Sequence, residues 1–202
     1  PTGVLYVLSD VLAFVLRNII RYRHKVVMAN LRNSFPEKNE QELQGIAKRF
    51  YTHLADRVIE NIKCITLGDD ELKRRCSFDP ASRAMLLKLY EEKRDVVIMV
   101  AHTGAWEWGG YMANRDTPYK TYGVYSPVKN PYFNRMVIKT RGKMGMKLVS
   151  MRETSAYFKT QLSEQTLHIF FTDQSPSNPN NAYWTNFMHQ DTAFFYGGAR
   201  YA

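Results

Sequence analysis

Hydrophobic and polar positions change their pattern along this chain. Residues 4–16 are almost wholly apolar, interrupted by Ser9 and Asp10, and run directly into Arg17, Arg21, Arg23, His24 and Lys25. After Asn39 the pattern becomes periodic. Leu43, Ile46, Ala47, Phe50, Tyr51, Leu54, Ala55, Val58, Ile59 and Ile62 recur at steps of three and four, the period of an amphipathic helix. Asn39 with Glu42 supplies a capping box at its start, and Lys48, Arg49, Arg57 and Glu60 fall on its solvated side. Beyond Asp95 short β-type runs alternate with helical stretches. Strands are predicted over 96–101, 122–125, 147–149 and 167–172, and helices over 105–114, 130–144 and 155–162. Strand starts roughly 20 to 25 residues apart are the spacing of repeated strand-helix-strand units. The expected fold is therefore α/β, with a largely parallel sheet flanked by helices.

The first apolar stretch is too short to span a bilayer, which takes roughly 20 apolar residues. It reads as the tail of a membrane helix or as an interfacial helix with a basic flank, and otherwise as a buried helix with a solvated end. A signal peptide is disfavoured because the charge follows the apolar stretch. The expected organisation is a membrane-proximal, basic helical segment over 1–38 and a catalytic α/β domain over 39–202. The start at Pro1 and the end at Ala202 read as those of a fragment.

Composition adds a partner of opposite sign. Against 19 Asp and Glu stand 28 Lys and Arg, a net charge of +9, which points to an anionic partner without naming it. Cys64 and Cys76 are too few and too loosely spaced for a disulfide framework or a four-ligand zinc site.

In open parallel sheets the ligand site lies beyond the carboxyl ends of the strands. Those positions here are polar: His102-Thr103-Gly104-Ala105-Trp106-Glu107, Ser126-Pro127, Ser150 to Arg152, and Asp173-Gln174. His102 ends a strand and Glu107 opens the next helix, so the Glu107 carboxylate is expected to meet the imidazole and hold its tautomer as the acid of a serine hydrolase triad does. Gly104 lets the turn approach a substrate. The His-x4-acid spacing is weak by itself. His168 and Asp173 repeat it, yet His168 lies inside the Leu-His-Ile-Phe-Phe run and reads as a satisfied buried or half-buried strand residue. For His102 a structural role at a helix start is the alternative.

No Gly-x-Ser-x-Gly elbow accompanies the pair, and there is no phosphate loop, dinucleotide fingerprint or His-Glu-x-x-His. The attacking group is then expected to come from the substrate, with histidine as general base. Two readings compete from other classes. One is a basic membrane or nucleic-acid binding module with a structural His102. The other is metal-dependent hydrolysis by His102, Glu107 and Asp173.

Several motifs together carry a family resemblance over nearly the whole chain. They are Arg21-Tyr22-Arg23, Asn30-Leu31-Arg32-Asn33-Ser34-Phe35-Pro36, the His102 to Glu107 block, Tyr125-Ser126-Pro127 followed by Asn130-Pro131, Arg141-Gly142, and Thr172-Asp173-Gln174. With them the sequence resembles the late acyltransferases of lipid A biosynthesis, within the wider lysophospholipid (glycerolipid) acyltransferase-like group. The resemblance implies His102 as general base and Glu107 as its partner, acting on a hydroxyl of a lipid A precursor while acyl carrier protein supplies the acyl thioester. A glycerolipid or aminolipid acceptor is the alternative. The resemblance implies no metal, no cofactor and no nucleic acid. It places the protein at the cytoplasmic face of the inner membrane, where the anionic surface, carrier and lipid phosphates would meet the basic charge. Arg141 is expected to meet acceptor phosphate or the developing oxyanion, and Asp173 to orient substrate or arginine. Ser126, Asn130 and Arg152 complete the expected substrate-binding set. Ser126 departs from the family pattern, in which many members carry arginine.

Overall fold

The structure, a computed structural model, describes residues 2–66, 68–143, 145–160 and 163–202. It divides into two compact units, the described parts of Pro1–Thr66 with Trp184–Thr192, and of Leu67–Tyr183 with Ala193–Ala202.

The N-terminal part of the first unit is helical. Helix α1 (Thr2–Phe14) runs on through a π-helical stretch, Val15–Ile19, followed by α2 (His24–Ser34), and α3 (Glu40–Cys64) packs on both α1 and α2. The capping box forms: Glu42 N–H donates to the Asn39 side chain at 3.0 Å, and Asn39 N–H donates to the Glu42 carboxylate at 2.9 Å. Leu43, Ala47, Tyr51 and Ala55 are the buried stripe of α3, one residue per turn. The break in the apolar run at Ser9 has a partner, because this buried hydroxyl donates to Asp56 at 2.6 Å. The rest of α1 is unlike a core helix. Val4, Val7, Leu8, Val11 and Phe14 are exposed. No single helix among the described residues is long and apolar enough to cross a membrane; Gly3–Ile19 with His24–Ser34 passes that test only as a pair bent by 90°.

The second unit holds the sheet. After α4 (Asp69–Arg75) and α5 (Pro80–Glu91) come β1 (Val96–Val100), α6 (Trp106–Asp116), β2 (Lys120–Tyr125), α7 (Pro131–Gly142), β3 (Lys147–Ser150), α8 (Thr154–Tyr157) and β4 (Thr166–Phe171). The four strands pair in parallel in the order β1-β4-β2-β3, as the alternation of strands and helices predicts. The last of them in sequence is thus central. Two predicted helix ends, at Met144 and Leu162, lie outside the described residues. Most of the hairpin that follows, Trp184–Thr192, is counted with the first unit: a two-residue turn at Met188 and His189, both with positive φ, joins β5 (Tyr183–Phe187) to β6 (Gln190–Phe194), and α9 (Gly197–Tyr201) comes after it in the second.

Register decides what the sheet presents on each face. Ile98, Ile169, Gly123 and Leu148 stand in one row across all four strands. Side chains alternate along a strand, so Val100 and Phe171 share that face. Ala113 of α6 and Met146 pack into the same apolar core. Tyr122, His168 and Phe170 take the opposite face, where His168 meets the rings of Tyr157 and Phe158, and Phe158 those of Phe170 and Tyr201. Carboxylates lock β4 to β1 at both ends. Asp95 accepts from Thr166 N–H at 2.7 Å, and Asp173 accepts from His102 N–H at 2.8 Å.

Candidate active site

His102 follows β1 directly, and its backbone ladder partner lies on β4. Because Val100 pairs with Phe171, extending both strands by two residues brings Asp173 beside His102 on the α6 face of the sheet. The carboxylate then meets the residue twice. Oδ2 takes the backbone N–H, and Oδ1 lies 2.6 Å from ring Nδ1. An ionised carboxylate only accepts hydrogen bonds, so the proton of a neutral imidazole sits on Nδ1 and Nε2 keeps its lone pair. Nε2 has no hydrogen-bond partner among the described residues. Burial alone would raise the Asp173 carboxyl. The backbone N–H, ring and charge of His102 outweigh it and hold the pKa below the ordinary carboxylate value.

This arrangement corrects one expectation. The carboxylate on the imidazole is Asp173, and Glu107 faces elsewhere: Arg141 Nε and Nη2 donate to its two oxygens at 2.9 and 2.6 Å. The reason lies in the turn. Gly104 adopts φ +58, a conformation that only glycine takes without strain, and the chain reverses there so that the first turn of α6 aims Glu107 at the last turn of α7. The fork-to-fork pair is strong in geometry and only 19% and 17% exposed. The guanidinium also lies over the Trp106 indole, 5.4 Å from its ring centroid.

Aromatic rings fix the imidazole from two sides. Trp106 packs edge-on at 4.8 Å between centroids, and Phe171 at 4.6 Å. Neither ring was singled out from the sequence as part of the site. Phe171 had a signal, since it stands two residues before Asp173 on the same face. Both rings line a cavity of about 300 Å³ under α6 whose wall is mainly apolar, with Val100, Ile169, Leu148 and Met146, and whose polar groups include Glu107 and Arg141.

The remaining expected residues do not join this cluster. Asn130 is the N-cap of α7, its side-chain oxygen accepting from Tyr132 and Phe133 N–H. Ser126 and Arg152 are exposed and make no side-chain contact with His102, Asp173, Glu107 or Arg141. Among the described residues no three His, Cys, Asp or Glu side chains converge as a metal-ligand set. His168 behaves as a strand residue: it is 4% exposed and its Nε2 lies 3.0 Å from the Tyr157 hydroxyl. Burial pushes its pKa below 6.5, with Asp95 opposing, while burial and then Tyr122 push Tyr157 up.

Chemically, the cluster offers a fixed base with one free nitrogen, a half-buried cation paired to a carboxylate, and an apolar cavity alongside. Compared with known families, residues 1–202 match the family model described as bacterial lipid A biosynthesis acyltransferase. A comparison with curated proteins finds no match.

Proposed function

Because the chain belongs to the bacterial lipid A biosynthesis acyltransferase family, we propose that it moves a fatty acyl chain from an acyl carrier protein thioester to a hydroxyl of a lipid A precursor, with His102 as general base. Membership carries acyl transfer in lipid A biosynthesis; the donor, the acceptor position and the residue roles are the proposal. The observation that supports it most is the free Nε2 of a histidine clamped by Asp173 beside an apolar cavity.

The step balances without a protein nucleophile. Nε2 takes the acceptor hydroxyl proton as the oxygen attacks the thioester carbonyl, and Asp173 stabilises the imidazolium that forms. Collapse breaks the carbon-sulfur bond, and His102 returns the proton to the departing thiolate. Arg141 serves the developing oxyanion or an acceptor phosphate through the donors that Glu107 leaves free. Glu107 acts through Arg141 as a positioning residue. Acyl transfer from labelled acyl carrier protein to a lipid A precursor, by the full-length protein and its His102→Ala variant, tests the reading. Transfer that persists without His102 sinks it.

The place of work is inferred from the first unit. The exposed apolar face of α1 and the basic residues Arg17, Arg21, Arg23 and Lys25 suit the anionic cytoplasmic face of the inner membrane. Cosedimentation with phosphatidylglycerol vesicles should weaken on Val7→Asp and Val11→Asp together. Unchanged sedimentation would argue against this face as the anchor.

A further inference from the structure

We propose that Met146 gauges the length of the acyl chain that the cavity accepts, an inference that rests on the acyl-transfer reading above. The row Ile98, Ile169, Gly123 and Leu148 crosses the sheet under α6 with a gap at Gly123. Gly110 of α6 makes a second gap. The Met146 thioether fills both: a Cβ placed on Gly110 would stand 2.7 Å from Sδ and 3.1 Å from Cε, and one on Gly123 would stand 3.2 and 3.4 Å from them. Neither glycine has a positive φ, so what glycine supplies at these positions is room, although it weakens a helix or strand interior.

Position makes this side chain a constriction. Trp106, whose ring packs on His102, lines the cavity at the dyad end, while Gly110 lies about one helical turn along α6 and Ala113 about two. Met146 enters at the level of Gly110 and reaches the lining shared with Ala113 and Phe78. The segment carrying it arrives by a tight approach, because Gly145 has φ +86 and a Cβ there would meet Asn114 Nδ2 at 2.6 Å. A chain running from the thioester along α6 therefore meets the thioether before it reaches the deeper lining. Methionine is unbranched and adaptable, so its terminal atoms are the part that moves when space changes.

Opposite shifts follow from opposite substitutions. Met146→Ala removes three heavy atoms and opens room for about two to three further carbons. Gly110→Ala places a methyl 2.7 Å from Sδ, closer than the two atoms can sit, so the thioether swings into the cavity and the accepted chain shortens. Met146→Leu keeps the volume and should keep the parent length. Isothermal titration of the full chain with saturated fatty acids of increasing length reads the effect, since each buried methylene changes affinity about fourfold. Affinity should rise with length and level off, later in Met146→Ala and earlier in Gly110→Ala. Levelling at one length in all variants overturns the gauge, as does the absence of length-dependent binding. Transfer from mixed acyl carrier protein thioesters separates the two readings. Shifted binding without any transfer overturns acyl transfer and leaves the gauge standing, whereas active variants with unchanged product lengths overturn the gauge alone.

Discussion

The two faces of the sheet each carry a histidine, and they treat it oppositely. His168, on the face with Tyr157 and Phe158, is 4% exposed and shares its Nε2 with a tyrosine hydroxyl. Its surroundings favour the neutral ring and occupy the nitrogen that a base would use. His102 sits at the end of the α6 face, with a side chain 28% exposed, Nδ1 held by a carboxylate and Nε2 unclaimed among the described residues. One ring is packed in and the other is left accessible, although both precede an acidic residue by five positions. What separates them is the position along the strand: a strand interior encloses the ring, and a strand end leaves one nitrogen open while the neighbouring strand supplies the acid.

The largest test of that contrast is removal of each ring. His102→Ala should lower kcat/KM by about three orders of magnitude, with an unchanged circular dichroism spectrum, whereas His168→Gln should leave the rate within about twofold. Comparable losses from both would erase the distinction. Next come the two carboxylates. Asp173→Asn should cost about a hundredfold or more because the tautomer is no longer fixed, and Glu107→Gln less, since its contact is with Arg141; a Glu107 loss exceeding that of Asp173 would return the direct role to Glu107. A double-mutant cycle on Arg141→Ala and Glu107→Ala, read by chemical denaturation, should give a coupling of about 1–3 kcal/mol for this partly buried pair. The smallest effect is on pH. Burial holds His168 below 6.5 in the folded protein, so the unfolded chain binds the proton first as pH falls. The stability this group contributes is whole above about pH 6.5 and is lost below it, down to the depressed folded value. Thermal unfolding from about pH 7.5 to 5 should therefore fall more steeply in the parent than in His168→Gln.

Elements set by local pattern were legible from the sequence. The Asn39–Glu42 capping box and the α3 stripe need only neighbours within a turn or two, and all four strands appear within a residue or two of their predicted limits. The Asn130-Pro131 pair likewise carries the local signature of a helix cap, and Asn130 caps α7. The partner of His102 was not legible, because spacing favours Glu107 while the contact is decided by which strand lies beside β1 and in what register. Nothing local announces that β4 inserts between β1 and β2. The same limit hid the Arg141–Glu107 pair and the packing of Met146 between two glycines. The hairpin turn at Met188 and His189 escaped for another reason: neither residue is of the Asn-Gly type that marks such turns.

The central place of β4 has a kinetic meaning. Both hydrogen bonds that equip His102 cross 71 residues of chain, as does the bond from Thr166 to Asp95 that anchors the far end of the same strand. Such high contact order makes the sheet slow to complete. During synthesis β1, β2 and β3 leave the ribosome before the strand that belongs among them, and His102 waits with an unfixed ring. The Asp173 clamp on His102 forms only when β4 docks, so on the proposed mechanism the general base would be completed together with the last strand of the sheet.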